Sequence, residues 1–290
     1  MAEKYVIDVV GDPQVPDWQS LVLPDAWPDT LDFRKPSDLW RVLSQLFKKQ
    51  RPGVKLPSGL PGSEQIPKYV LREFHNLPNG NYSKKITRGY ITGFERVMLG
   101  LMHQVRQSVA QKMQDCGSVL DVGCAGGRMA DALTKAGVED VWGIDTSPYL
   151  LQHAAHDYPE VKFVQGIAEH TGFSDQRFDG VTACFLLHEL PPRYIDLALT
   201  EFHRILKPGG ILAIAEPSPL QIQESLLSVF RGWGFAGLYF KWLANFVHEP
   251  FIDAWHKLDI QAKLDEFGFE LIEDQDELPI RKILARKLAS

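Results

Sequence analysis

The stretch Ser118-Val-Leu-Asp-Val-Gly-Cys-Ala-Gly-Gly-Arg128 constrains the fold more than any other part of the chain. Val119, Leu120 and Val122 read as a short buried strand, followed by a turn of small residues and a helix from about Arg128. In such a strand–turn–helix a ligand can approach the backbone closely, and the helix N-terminus offers N–H groups with no partner inside the helix. The stretch is not the dinucleotide fingerprint. G-x-G-x-x-G counted from Gly123 would need glycine at Ala125 and at Arg128. Asp121, two positions before the first glycine, would also repel a pyrophosphate and suits a cationic ligand instead.

Asp121-x-Gly123-x-Ala125-x-Gly127 resembles the first motif of class I S-adenosylmethionine-dependent methyltransferases, with alanine at the middle glycine. The resemblance implies that Asp121, Gly123, Cys124, Ala125 and Gly127 cradle the methionine part of the cofactor, with Asp121 near its ammonium group. Alanine at position 125 adds one methyl, which the turn accepts if φ there is negative. Val141-Trp-Gly-Ile-Asp145 is a second apolar run ending in a carboxylate. An acid roughly 20 residues past the glycine turn can hold a ribose diol. Thr146 stands beside it, and the competing role for Asp145, capping the next helix, could fall to Ser147.

Third, fourth and fifth strands are expected at Val161–Gln165, Phe178–Ala183 and within Leu206–Glu216. Phe269–Glu273 and Ile280–Lys287 read as a closing hairpin after a helix over Asp259–Phe267. The order resembles the methyltransferase family from about Cys116 to Lys287. It implies an α/β fold: a Rossmann-like seven-stranded sheet, parallel except for the last strand, with an N-terminal helical cap. Residues 1–115 are assigned to the extension and cap, and 116–290 to the cofactor-binding domain with a lid insertion at about 218–256.

After the third strand many family members carry Gly-Asp-Ala, whereas this chain has Gly166-Ile167-Ala168-Glu169. Ile167 and Ala168 then meet the adenine through apolar and backbone contacts, or Glu169 approaches in a shifted register. Cys184 and Phe185, just past the fourth strand, are expected to face the sulfonium, with His188 and Glu189 nearby. Methyl transfer needs alignment, exclusion of water and a base if the acceptor carries a proton. His188 is a candidate base because its ordinary pKa lies near neutrality, and a packed, satisfied histidine is the alternative. Glu216 ends the fifth strand at the same crevice, either to orient substrate or to anchor a loop.

Asn79–Phe94 is dense in polar and aromatic residues, and Tyr82, Arg88 and Tyr90 are candidates to close over the substrate. A long helix is expected over Thr92–Gln114, one near Ser37–Lys49, and a loop over Pro52–Pro67. Ser225–Val247 is strongly apolar but interrupted by Arg231, Lys241 and three glycines. It reads as an apolar lid or pocket wall, with Trp233 and then His248 as candidate substrate contacts. Membrane-surface contact and a homodimer interface are alternative uses of that segment.

A net charge of −6 excludes a general nucleic-acid binder, which would show a basic face. The three cysteines have no metal-ligand spacing, and no His/Asp/Glu set has it either, so no metal is expected. The N-terminus carries no signal-peptide pattern, and a cytoplasmic protein is expected. No Asn-Pro-Pro-Tyr follows the fourth strand, which disfavours a nucleic-acid base or protein glutamine as acceptor. The expected function is methyl transfer from S-adenosylmethionine, leaving S-adenosylhomocysteine, to a small apolar or aromatic molecule. Two alternatives remain open: a catalytically silent cofactor-binding scaffold or sensor, and an enzyme of this fold using the cofactor without methyl transfer.

Overall fold

The central strand β1 (Ser118–Val122) is buried along its whole length, because helices cover both faces of the parallel sheet around it. A computed structural model describes residues 11–46 and 53–289. From β1 the chain passes through α4 (Arg128–Lys135), β2 (Asp140–Asp145), α5 (Pro148–Asp157), β3 (Lys162–Gln165), β4 (Phe178–Cys184), α6 (Pro192–Ile205) and β5 (Leu206–Pro217). The segment expected to form a lid follows as α7 (Leu220–Gln223), α8 (Leu226–Phe246) and α9 (Ile252–His256). The chain then closes with α10 (Ile260–Glu266), β6 (Phe269–Asp276) and β7 (Ile280–Lys287). Ahead of β1 lie α1 (Pro36–Leu46), α2 (Lys84–Val97) and α3 (Leu101–Lys112).

The sheet order is β3-β2-β1-β4-β5-β7-β6. β1 pairs in parallel with both β2 and β4, and β7 runs antiparallel to both of its neighbours. The seven-stranded sheet, reversed only in its last strand, is the fold that the motif order implied. Strand order reverses between β1 and β4, which opens a crevice at their carboxyl ends, and the glycine turn and the segment after β4 meet there.

Three expectations change. The helix expected over Thr92–Gln114 is two helices, because Leu99 and Gly100 take φ of 52° and 77° and reverse the chain between them. The lid segment is helical despite its glycines, with a kink where Gly234 has φ 61° and ψ −148°. Of the helix expected over Ser37–Lys49, residues 47–49 lie outside the described residues, and α1 accounts for the rest.

The N-terminal segment is tied to the sheet by buried polar contacts. Trp18 donates its indole N–H to the Phe163 carbonyl at 2.7 Å, and the Tyr149 hydroxyl donates to the Pro24 carbonyl at 2.7 Å. Ser83 caps α2 by accepting from the Ile86 N–H, which aims that helix across the mouth of the crevice.

Candidate active site

The turn after β1 is built on left-handed backbone. Gly123, Ala125 and Gly127 have φ of 70°, 48° and 79°. A Cβ at Gly123 would lie 2.9 Å from Leu186 Cδ1, and one at Gly127 would lie 2.8 Å from Phe163 Cζ. Glycine is therefore required at both positions by conformation and by space. The condition of a negative φ at Ala125 is not met, and the methyl is carried on left-handed backbone. An L-residue in this region costs about 1–2 kcal/mol. The conformation is held because the Ala125 N–H donates to Asp145 Oδ2 at 3.0 Å.

Asp145 ends β2 and uses its other oxygen to accept the Ser147 N–H at 2.8 Å. Ser147, not Asp145, caps α5 by accepting from the Leu150 N–H. Burial pushes the Asp145 carboxyl up to about 6, against the hydrogen bonds it accepts. Thr146 shares a hydrogen bond with the Tyr82 hydroxyl at 2.9 Å, so the segment before β1 reaches the end of β2 directly.

Asp121 is 1% exposed. The Thr182 hydroxyl donates to its Oδ1 at 2.8 Å, whereas Oδ2 is buried without a hydrogen-bond partner. Burial pushes this carboxyl up to about 7, with Thr182 and Arg106 opposing the rise. An unpartnered buried carboxylate oxygen facing a crevice is matched by a cationic ligand. Arg106 does not take that place, because it pairs with Glu95.

On the other side of the crevice, Phe185 has φ 58° and packs edge-on against both Phe94 and His188. Glu216 is fully buried. Its Oε1 accepts the Leu186 and Leu187 N–H groups at 2.8 and 2.7 Å, and its Oε2 lies 2.5 Å from His188 Nδ1. It therefore anchors the segment after β4. Burial lowers the His188 pKa, but Glu216 and then Glu249 more than offset this and hold it up at about 9. His75 lies 3.1 Å from Glu189 and 3.5 Å from Glu249. Burial works against its proton, and these carboxylates raise it to about 10. Burial also pushes the Cys184 thiol up to about 12, so it offers no thiolate near neutrality.

Two chambers result. The first is lined by Asp121, Gly123, Ala125, Asp145, Thr146 and Glu189, among others. Cys124, Ala168, Cys184, Tyr82 and Tyr90 also border it. The second has a volume of about 450 Å³ and lies under α2 and the C-terminal half of α8, with Phe240, Leu243 and Val247 among its walls. Tyr90, Phe94 and Phe185 border both. His75 and Glu249 form the polar end of the second chamber.

Several expected residues are not brought to either chamber. Gly127 packs behind the turn, and Ile167 is not in the lining, although its neighbours Gly166 and Ala168 are. Glu169 accepts from the Tyr69 hydroxyl at 2.8 Å instead of reaching the crevice. Arg88 is exposed on α2, and Trp233 is 37% exposed on α8. His248 contributes its carbonyl, which accepts the His75 N–H at 3.1 Å, while the chamber is lined by Val247 and Glu249 on either side of it. His188 stands behind the lining and meets neither chamber directly. Sequence reasoning missed His75. It lies just before the polar and aromatic run over Asn79–Phe94, outside the stretch that the sequence marked.

Residues 120–214 match the family profile described as a methyltransferase domain. A demethylmenaquinone methyltransferase of Staphylococcus aureus is 34% identical over 185 residues, which is 60% of this chain and 68% of that protein. The chain belongs to the class I S-adenosylmethionine-dependent methyltransferases. An uncharacterized methyltransferase of Synechocystis is 39% identical over 124 residues, 40% of this chain. The chain thus spans 58% of that relative's length. A structure assigned as an O-methyltransferase from Nostoc punctiforme shares the fold, with a TM-score of 0.54 and 17% identity over 70% of this chain and 60% of that one. The first chamber fits this family's cofactor. Asp121 Oδ2 is the orphaned acceptor that an ammonium would satisfy, and the positive-φ turn leaves the backbone bare where a side chain would collide.

Proposed function

We propose that the chain transfers the methyl group of S-adenosylmethionine to a small apolar or aromatic acceptor bound in the 450 Å³ chamber. The observation that carries this reading is the shared wall. Tyr90, Phe94 and Phe185 border both the chamber bearing the family's motif residues and the more apolar one, so donor and acceptor would come into contact beside these three aromatic side chains. A chamber of this volume with mostly apolar walls and a few polar groups at one end is suited to a small molecule.

When bound, S-adenosylmethionine supplies an activated methyl group on a sulfonium centre. Asp121 would receive its ammonium, Asp145 its ribose hydroxyls, and Cys124, Ala125 and Thr146 would line its path. Ala168 would border the adenine. Cys184 and Phe185 would face the reacting end. The aromatic wall and α2 exclude water, and the protein's contribution to rate lies in orientation. Glu216 is a positioning residue, because it sets the backbone of Leu186 and Leu187 and the ring of His188. Residues 1–115 are assigned to an extension and helical cap, and α7–α9 to a lid, over a methyltransferase domain.

The acceptor class is supported by the chamber's apolar walls and by a relative named for demethylmenaquinone, itself an apolar aromatic compound. No helix among the described residues is long and apolar enough to cross a membrane. A cytoplasmic location is part of the proposal. The test is a panel of phenols, hydroquinones and aromatic amines, followed by formation of S-adenosylhomocysteine. Turnover with an aromatic acceptor, lost when Phe240→Trp fills the chamber, supports the reading. Turnover with polar acceptors alone would overturn it.

A further inference from the structure

His75, His188 and Glu249 come from three distant parts of the chain, and their ligand-capable atoms all lie within 4.8 Å of one another. His75 Nε2 is 3.5 Å and His188 Nε2 is 3.7 Å from Glu249 Oε1. Bonds of about 2.0–2.2 Å to a central ion put neighbouring donor atoms roughly 3.0–3.5 Å apart, so a small inward movement would complete the set. We propose that these three residues form a binding site for a divalent first-row transition-metal ion, such as Zn²⁺, at the polar end of the acceptor chamber.

A second observation points the same way. His188 Nε2 is fully buried, has no hydrogen-bond partner, and is aimed into the cluster. No arrangement of protons repairs this. A proton on His75 Nε2 can bridge to Glu189 or Glu249, but Glu249 is too far from His188 Nε2 to hydrogen-bond. A cation between the three satisfies every facing atom. Glu216 completes the pattern, because both of its oxygens are already used. With Oε1 fixed by two backbone N–H groups, Oε2 accepts the His188 Nδ1–H and turns Nε2 inward, where an ion would bind by displacing the proton on that nitrogen. A carboxylate behind a histidine in this way sets the tautomer and strengthens it as a metal ligand.

His75 is held at φ 54°, with its ring stacked at 5.7 Å on Tyr90. A non-glycine residue kept in that region is retained where the surrounding structure imposes it, often at a functional site. Two imidazoles and one carboxylate suit zinc, iron, cobalt or nickel, and imidazole disfavours magnesium and calcium. His75 and Glu249 line the chamber. The ion would thus keep a coordination position open toward it, where an oxygen of the acceptor would bind. That last role rests on the proposed function.

The test uses the full chain, stripped with chelator and titrated with Zn²⁺ by calorimetry, then loaded with Co²⁺ and followed by its visible absorption. Asparagine tolerates left-handed backbone, so His75→Asn removes the imidazole with the turn intact, and Glu249→Gln keeps the side-chain shape. We expect one equivalent of metal in the parent chain, weakened in each variant by about 100-fold or more, with S-adenosylhomocysteine uptake unchanged. No uptake by the parent, or equal uptake by both variants, would overturn the site. The same samples titrated with S-adenosylhomocysteine separate the two readings, since absence of cofactor uptake removes methyl transfer and leaves the metal result standing.

Discussion

Replacing Glu216 by alanine is expected to destabilise the whole crevice. The side chain is fully buried and accepts three hydrogen bonds: the Leu186 N–H at 2.8 Å, the Leu187 N–H at 2.7 Å, and His188 Nδ1 at 2.5 Å. Each buried donor left without an acceptor costs about 1–3 kcal/mol. The three are coupled, because all anchor one short segment, so their sum overstates the loss. Breaking a buried charged pair costs about 3–5 kcal/mol, and that is the expected total. An unfolding entropy of roughly 2.1 cal/mol/K per residue gives about 0.6 kcal/mol/K for a chain of this length. The midpoint should therefore fall by roughly 5–8 °C in scanning calorimetry. Glu216→Gln keeps a carbonyl for the two backbone donors and should lose roughly half as much. Its amide would face His188 Nδ1 with a donor and move the ring proton to Nε2, a change readable from imidazole nitrogen shifts in NMR. A Glu216→Ala midpoint within about 2 °C of the parent would refute the anchoring role.

Three further outcomes follow from the first chamber and the turn after β1. Burial raises Asp121 to about 7 and Asp145 to about 6, so both must lose a proton to meet a cation and a ribose diol as carboxylates. Affinity for S-adenosylhomocysteine should therefore rise with pH through these values, by about tenfold per unit for each group below its pKa, and level off above 7. Calorimetry near pH 6 in buffers of different ionisation enthalpy should register proton release, and a flat profile with no release would contradict the assignment. Gly127→Ala would place its Cβ 2.8 Å from Phe163 Cζ at φ 79°, costing about 1–3 kcal/mol from overpacking alone. Chemical denaturation reads this directly, and an unchanged midpoint would count against the tight left-handed turn. Ala125→Gly relieves backbone strain at φ 48° and should raise stability by about 1 kcal/mol, provided that relief exceeds the entropy glycine adds to the unfolded chain. A loss of stability would show that the alanine methyl contributes packing instead.

The parts legible in the sequence were those specified locally. The first strand, its turn and α4 fall within one short stretch, and a short buried strand running into a turn of small residues has few other places to go. Asp145 was legible for the same reason, since a strand end and a helix cap adjoin it. The break between α2 and α3 was not legible. Apolar periodicity runs through it, and only Leu99 and Gly100 at positive φ mark the reversal. The sign of φ at Ala125 was not legible, because its N–H is held by a tertiary hydrogen bond to Asp145. Arg88 and Trp233 were chosen by residue type, and the helical phase that turns them outward is a property of packing. His75, His188 and Glu249 could not be grouped from spacing at all, because the cap, the crevice and the lid meet only in three dimensions.

The most direct measurement is calorimetric titration of ligand-stripped protein with S-adenosylhomocysteine, beside Asp145→Ala under the same conditions. The parent should take up one equivalent, and the variant should bind more weakly by about 1–3 kcal/mol, the loss of a charged hydrogen-bond acceptor. No uptake by the parent chain, or equal affinity in the two, would contradict a cofactor seated between the turn after β1 and the end of β2.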